Sequence, residues 1–206
     1  MRLVVILYRL LPLAIAFRRD FRRWFFFGDP AHRTDADHER RARRLVAVLA
    51  ELGPTFVKMA QLFAGRADLL APVYARALTT LTDQVPMVPV AEVERIIVEE
   101  YGAPADELFE RFDREPLAAA SLGQVHRARY DGEEVVVKVL RPGVEALVAA
   151  DVRASLRIVA VVERWWPNPH VIGTRVVIEE FARRVAEEMD FRCEAAHAVA
   201  VRANFA

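Results

Sequence analysis

The stretch EPLAAASLGQVHRARYDGEEVVVKVLRPG, residues 115–143, decides the fold. A run of small residues enters a strand, Asp131-Gly132 turns the chain, and a second strand carries Lys138 among valines. Asp-Gly between two alternating segments is a strong hairpin signal, because both turn positions need positive φ. Ala118, Ala119, Ala120, Ser121, Leu122 and Gly123 add little bulk, so a ligand can approach their backbone, and turn N–H groups can point at phosphate oxygens. Gly123 alone is free of steric limits on backbone angle, which predicts a loop stiffer than one with three glycines. Val137 and Val139 are predicted on the opposite sheet face from Lys138. The lysine is then either inward and paired or outward at a solvated edge, and a plain surface hairpin is the bland alternative.

Around this hairpin the periodicity is helical. Residues 38–64 form a long helical pattern interrupted at Gly53-Pro54, where the proline suits the first turn of a new helix. Further helices are predicted over Pro72–Thr82 and 90–101, the latter with Val93, Ile96, Ile97 and Tyr101 at helical spacing and Gly102 and Pro104 at its end. The period changes to two over 109–121, 125–130 and 133–140. Helix returns after Pro142-Gly143 through Trp166, WWPNPHVIG reads as a loop, and 174–203 reads as a last amphipathic helix. The fold class is α+β, in three parts: a basic amphipathic segment (1–37), a helical extension (38–104) and a sheet-plus-helix part (105–206).

The chain has 206 residues, is 54% hydrophobic and carries no formal net charge, so it reads as globular and charge gives no ground for a nucleic-acid partner. One cysteine, Cys193, excludes a disulfide framework and reads as a small packing residue. Of 29 basic residues two are lysine, Lys58 and Lys138. In so arginine-rich a chain, those two mark places where a compact ammonium is needed rather than a planar fork, unless they are chance survivors.

Each lysine lies in a motif. In LGPTFVKMAQLFAGRADLL, residues 52–70, Lys58 and Gln61 share a helical face, for which a solvated surface is the default reading. A short acidic motif, Glu188-Met189-Asp190, follows. Carboxylates two apart on a regular helix point about 200° apart, so both cannot meet one lysine unless the helix ends there. Two partners, one per lysine, is the simpler resolution.

The N-terminal 44 residues hold 11 arginines against five acids. The apolar stretch Leu3–Phe17 is too short to span a bilayer and lacks a small-residue cleavage site. Arginines beside Trp24, Phe25, Phe26 and Phe27 suit a helix on an anionic membrane surface. A helix docked on the protein's own core is the equal alternative.

Together, K-x-x-Q, the alanine-rich loop with its strand lysine, and E-x-D, in that order, resemble the UbiB family of protein-kinase-like proteins (aarF-domain, ABC-one type). The resemblance covers residues 40–206 and implies a helical extension followed by an incomplete kinase-like N-lobe. It implies that 118–123 replace the kinase glycine loop, that Lys138 contacts nucleotide phosphates and pairs with Glu188, and that Lys58 and Gln61 sit over the nucleotide site with Asp190 as a neighbour. It further implies ATP and Mg²⁺ as cofactors, an ATPase or small-molecule kinase activity in ubiquinone or related isoprenoid-lipid metabolism, and a cytoplasmic site peripheral to the cell membrane. An anionic membrane or isoprenoid lipid, a second copy, or quinone-biosynthesis proteins are the implied partners. Three departures stand out: Ala60 replaces the motif glycine, where its methyl group is expected to push a helix contact apart; 64–68 read A-G-R-A-D rather than S-T-R-P-D; and His197 stands where asparagine is common. The chain has no H-x-D…N loop or D-F-G, so catalytic and metal-binding residues are expected beyond Ala206. A non-catalytic membrane-surface or partner-binding module with a pseudokinase-like lobe is the competing reading.

Overall fold

The computed structural model describes residues 2–18, 34–66, 70–81, 87–119, 121–165 and 169–204. Trp24–Phe27, Asp68 and Ala120 lie outside that set, as do the side chains of Cys193 and His197. The chain forms two compact units: one from Met1–Thr82 with Glu145–Ala206, the other from Asp83–Val144.

The first unit is helical. Helix α2 (Asp35–Leu52) opens with a capping box, in which the Thr34 hydroxyl accepts from the Asp37 N–H and the Asp37 carboxylate accepts from the Thr34 N–H. It ends at Gly53, and α3 (Pro54–Ala64) starts with the proline at its first turn, as the interrupted pattern predicts. Helix α4 (Pro72–Leu78) packs on both. Its Tyr74 is buried and its hydroxyl lies 3.3 Å from Nδ1 of buried His38 on α2.

The N-terminal helix α1 (Arg2–Arg18) docks along one stripe. Leu3, Ile6 and Leu10 pack against Leu52, Phe56 and Ala154, and Ile6 is fully buried. Val4, Leu7, Tyr8 and Leu11 on the remaining faces are exposed. Leu3, Ile6 and Leu10 therefore take the docked alternative, while the aromatic cluster 24–27 lies outside the described residues.

Arg2 anchors this docking. Its guanidinium pairs with both carboxylate oxygens of Asp151 on α7 (Val144–Trp165), with Nη2 2.9 Å from Oδ2, and also donates to the Leu52 carbonyl. Asp151 has no solvent exposure, and its hydrogen bond raises the Arg2 pKa. The salt bridge compensates an otherwise costly buried charge.

Helix α8 runs Pro169–Met189, so helix begins inside the stretch read as loop. Arg175 on α8 donates to Glu163 on α7 at 2.8 Å. The single predicted terminal helix is two helices, because α8 stops at Met189 and α9 spans Phe191–Asn204.

The second unit is a small antiparallel sheet on a helix. Helix α5 (Val90–Tyr101) matches its predicted span and buries Val93 and Ile97, while Tyr101 is exposed. A short α6 (Ala105–Leu108) follows. Strands β3 (Gly123–Tyr130) and β4 (Glu133–Leu140) pair from Gly123↔Leu140 to Tyr130↔Glu133. Asp131 and Gly132 join them at φ 50° and 76°, the left-handed pair that the Asp-Gly signal predicts. The strand predicted over 109–121 is instead two short ones, β1 (Arg111–Phe112) and β2 (Ala118–Ala119), each paired with β3. Pro116, which has no N–H for the ladder, lies in the break. Phe112, Ala128 and Val139 close over Val93 and Ile97 as the core.

Candidate functional site

Two backbone hydrogen bonds fasten the chain on and around the loop from β2 into β3. Leu117 N–H donates to the Val125 carbonyl at 2.8 Å, and Arg141 N–H donates to the Leu122 carbonyl at 2.9 Å. Ser121, Leu122 and Gly123 are buried, so the one bulky side chain of the loop fills the interior. Gly123 is needed for closeness rather than for unusual backbone angles. A Cβ there would stand 2.6 Å from the Val139 carbonyl oxygen.

Gln124 and His126, on the inward face of β3, form a buried polar network. The Gln124 amide accepts from Val88 N–H at 2.9 Å and donates to the Val88 carbonyl at 3.3 Å. The same amide nitrogen lies 2.9 Å from His126 Nε2, so that ring nitrogen accepts and Nδ1–H donates to the Asp113 carbonyl at 2.9 Å. His126 stacks on Phe112 at 5.1 Å between centroids. The network fastens the strand leaving the loop to chain segments on either side. Sequence reading missed both residues, although a polar Gln-x-His at strand spacing is the available signal.

Lys138 lies on the other face. Val139 is buried while Lys138 is exposed, which settles the orientation outward. The register Ala118↔Val125↔Lys138 places these three in one row across β2, β3 and β4. Paired residues share a sheet face, so exposed Ala118 and the Lys138 ammonium stem border one open surface. Arg127, two residues beyond Val125 on the same face, was not singled out from the sequence; it lines a hollow of about 550 Å³ with Phe112, Asp113, Glu115 and Leu117.

The other lysine motif is in the helical unit. Lys58 forms an ion pair with Glu188 near the end of α8. Gln61, one turn on, donates to the Leu81 carbonyl at 3.2 Å. The solvated-face reading therefore does not hold, because this face ties α3 to α8 and to the chain after α4. The ion pair makes Glu188 a partner of Lys58. Asp190 follows the end of α8, and its Oδ1 accepts from the Arg192 N–H at 3.0 Å at the start of α9. The helix break removes the constraint that a regular helix would impose on the two carboxylates. Ala60 is buried in the core cluster of this unit and is among the residues lining a cavity beside α3.

Among the described residues, no group of three or more His, Cys, Asp or Glu side chains could hold a metal ion. No described helix is long and apolar enough to cross a membrane.

The ABC1 atypical kinase-like domain matches residues 80–206. The chain belongs to that family. It is 37% identical over 182 residues to a probable protein kinase UbiB of Marinobacter nauticus, covering 88% of this chain and 33% of the relative. It is 41% identical over 168 residues to the chloroplastic protein ACTIVITY OF BC1 COMPLEX KINASE 8 of Arabidopsis thaliana, covering 80% of this chain and 22% of the relative. The chain thus spans a third or less of these relatives. Among solved structures, the Rv3197–erythromycin complex from Mycobacterium tuberculosis matches at a TM-score of 0.48 and 35% identity, over 77% of this chain and 40% of that one. The helices and small antiparallel sheet of this ABC1 protein are consistent with a helical extension and a partial kinase-like N-lobe.

Proposed function

We propose that this chain is the ATP-binding N-terminal part of an ABC1 atypical kinase. The row Ala118–Val125–Lys138 carries the reading. A small residue and an outward ammonium share one open sheet face, with the loop 118–123 packed at its end. Triphosphate oxygens lying over that face would meet Lys138 as a point charge, and the small side chains of Ala118 and Ala119 would let them approach the backbone there. The full-length protein is proposed to use the bound nucleotide as an ATPase or small-molecule kinase in ubiquinone or related isoprenoid-lipid metabolism; the UbiB names of its relatives support this. Mg²⁺ would accompany ATP in that role, and no step is assigned to it from the residues described.

The test is equilibrium binding of a fluorescent ATP analogue to the full-length protein. Lys138→Met is expected to weaken binding at least about tenfold, the scale of one lost charge-assisted contact, with Lys138→Arg between the two. Unchanged affinity in Lys138→Met overturns the assignment.

A membrane-surface reading is favoured by one observation, the outward stripe Val4, Leu7, Tyr8 and Leu11 on α1. Leu7→Glu with Leu11→Glu should abolish flotation with anionic vesicles; absence of flotation by the unaltered protein removes the reading.

A further inference from the structure

The helical unit has a partly open cavity of about 260 Å³ that the nucleotide reading does not use. Its walls come from six helices, with Leu10, Phe56, Met59, Ala60, Ile158 and Ile178 representative of a lining that is almost wholly apolar. Protein interiors hold few voids larger than a water molecule. An apolar cavity of about 150 Å³ stays dry and takes up benzene, so this one has room for a larger hydrocarbon. Of its lining, Phe63, Leu45 and Thr174 are half-buried.

The cavity also has a particular neighbour. Met59 and Ala60 follow Lys58 directly on α3, and Ile178 lies on α8, which carries Glu188. The two helices joined by the Lys58–Glu188 ion pair are therefore two of its walls.

We propose that this cavity is a binding site for an uncharged hydrocarbon group, such as an alkyl-substituted ring, held between α3, α7 and α8. The lining excludes charged ligands, since nothing there would replace their hydration. The site is separate from the ATP reading and stands without it.

Butylbenzene is the probe, titrated into the full 206-residue chain and followed by thermal unfolding and by methyl NMR. A saturable rise in Tm is expected, with intermolecular NOEs to the methyl groups of Ile158 and Ile178, and no rise is expected with the charged analogue phenylbutyrate. Ser155→Leu and Ala60→Leu place a larger side chain in the cavity and should weaken butylbenzene binding at least about tenfold while circular dichroism stays native. No saturable rise in the unaltered chain overturns the proposal, as does full affinity in either folded variant. If neither variant folds, the NOEs decide, and their absence from Ile158 and Ile178 overturns it.

Discussion

A methyl group on residue 123 would stand 2.6 Å from the Val139 carbonyl oxygen, and that oxygen belongs to a strand paired along its whole length with β3. Gly123→Ala must therefore push β3 from β4 where the loop begins. A loss of about 1–3 kcal/mol is expected, read as a lower urea midpoint; an unchanged midpoint would show that the strand end yields freely. This requirement was hidden in the sequence. The residue looked like a source of backbone freedom, whereas its reason is a contact across the sheet with a residue 16 positions away. Lys138 was more legible, because period-two alternation alone puts it opposite Val137 and Val139. Its row-mates were not, since they depend on strand register.

Helices were legible where a local signal starts or stops them. Pro54 and Gly102 gave α3 and α5 their ends, but nothing so distinct marks the break after Met189, where the Asp190 carboxylate caps the following helix. The docking of α1 was ambiguous because an apolar stripe with arginines suits both a membrane and a core. Arg2 and Asp151 decide it by a contact that no spacing rule connects. Arg2→Ala leaves a carboxylate buried without its cation and should cost about 3–5 kcal/mol, measured by urea unfolding. Pairing it with Asp151→Leu should restore most of the loss, and failure to do so would locate the effect elsewhere. Between α7 and α8, hydrogen bonding to Arg175 holds Glu163 below the usual carboxylate range. A depressed carboxylate pKa stabilises the fold above the ordinary glutamate range, and that contribution is lost as pH falls from there through the lowered folded-state value. Arg175→Met should thus lower Tm at about pH 6, by an amount that shrinks as the solution is acidified below the ordinary glutamate range.

Across the whole molecule, the Asp83–Val144 unit carries its own core: Val93, Ile97, Ala105, Phe112, Ala128 and Val139 all lie within it. Residues 83–144 expressed alone should give a marginally stable fold with dispersed amide shifts and slow exchange along β3–β4. Random-coil spectra would show that the core needs the rest of the chain. The other unit is made of two distant stretches of sequence. Its partner faces carried no local mark, which is why the hairpin was readable from residues 115–143 and the helical unit only as separate helices.

Arg2 and Asp151 are 149 positions apart, and a ribosome adding 5–20 residues per second separates their synthesis by about 7–30 s. During that interval α1 has neither its ionic anchor nor Ala154 to cover Ile6, while the hairpin unit has all its core residues once Val139 has emerged. Assembly is therefore staggered in time: the sheet can close first, while α1 waits for α7.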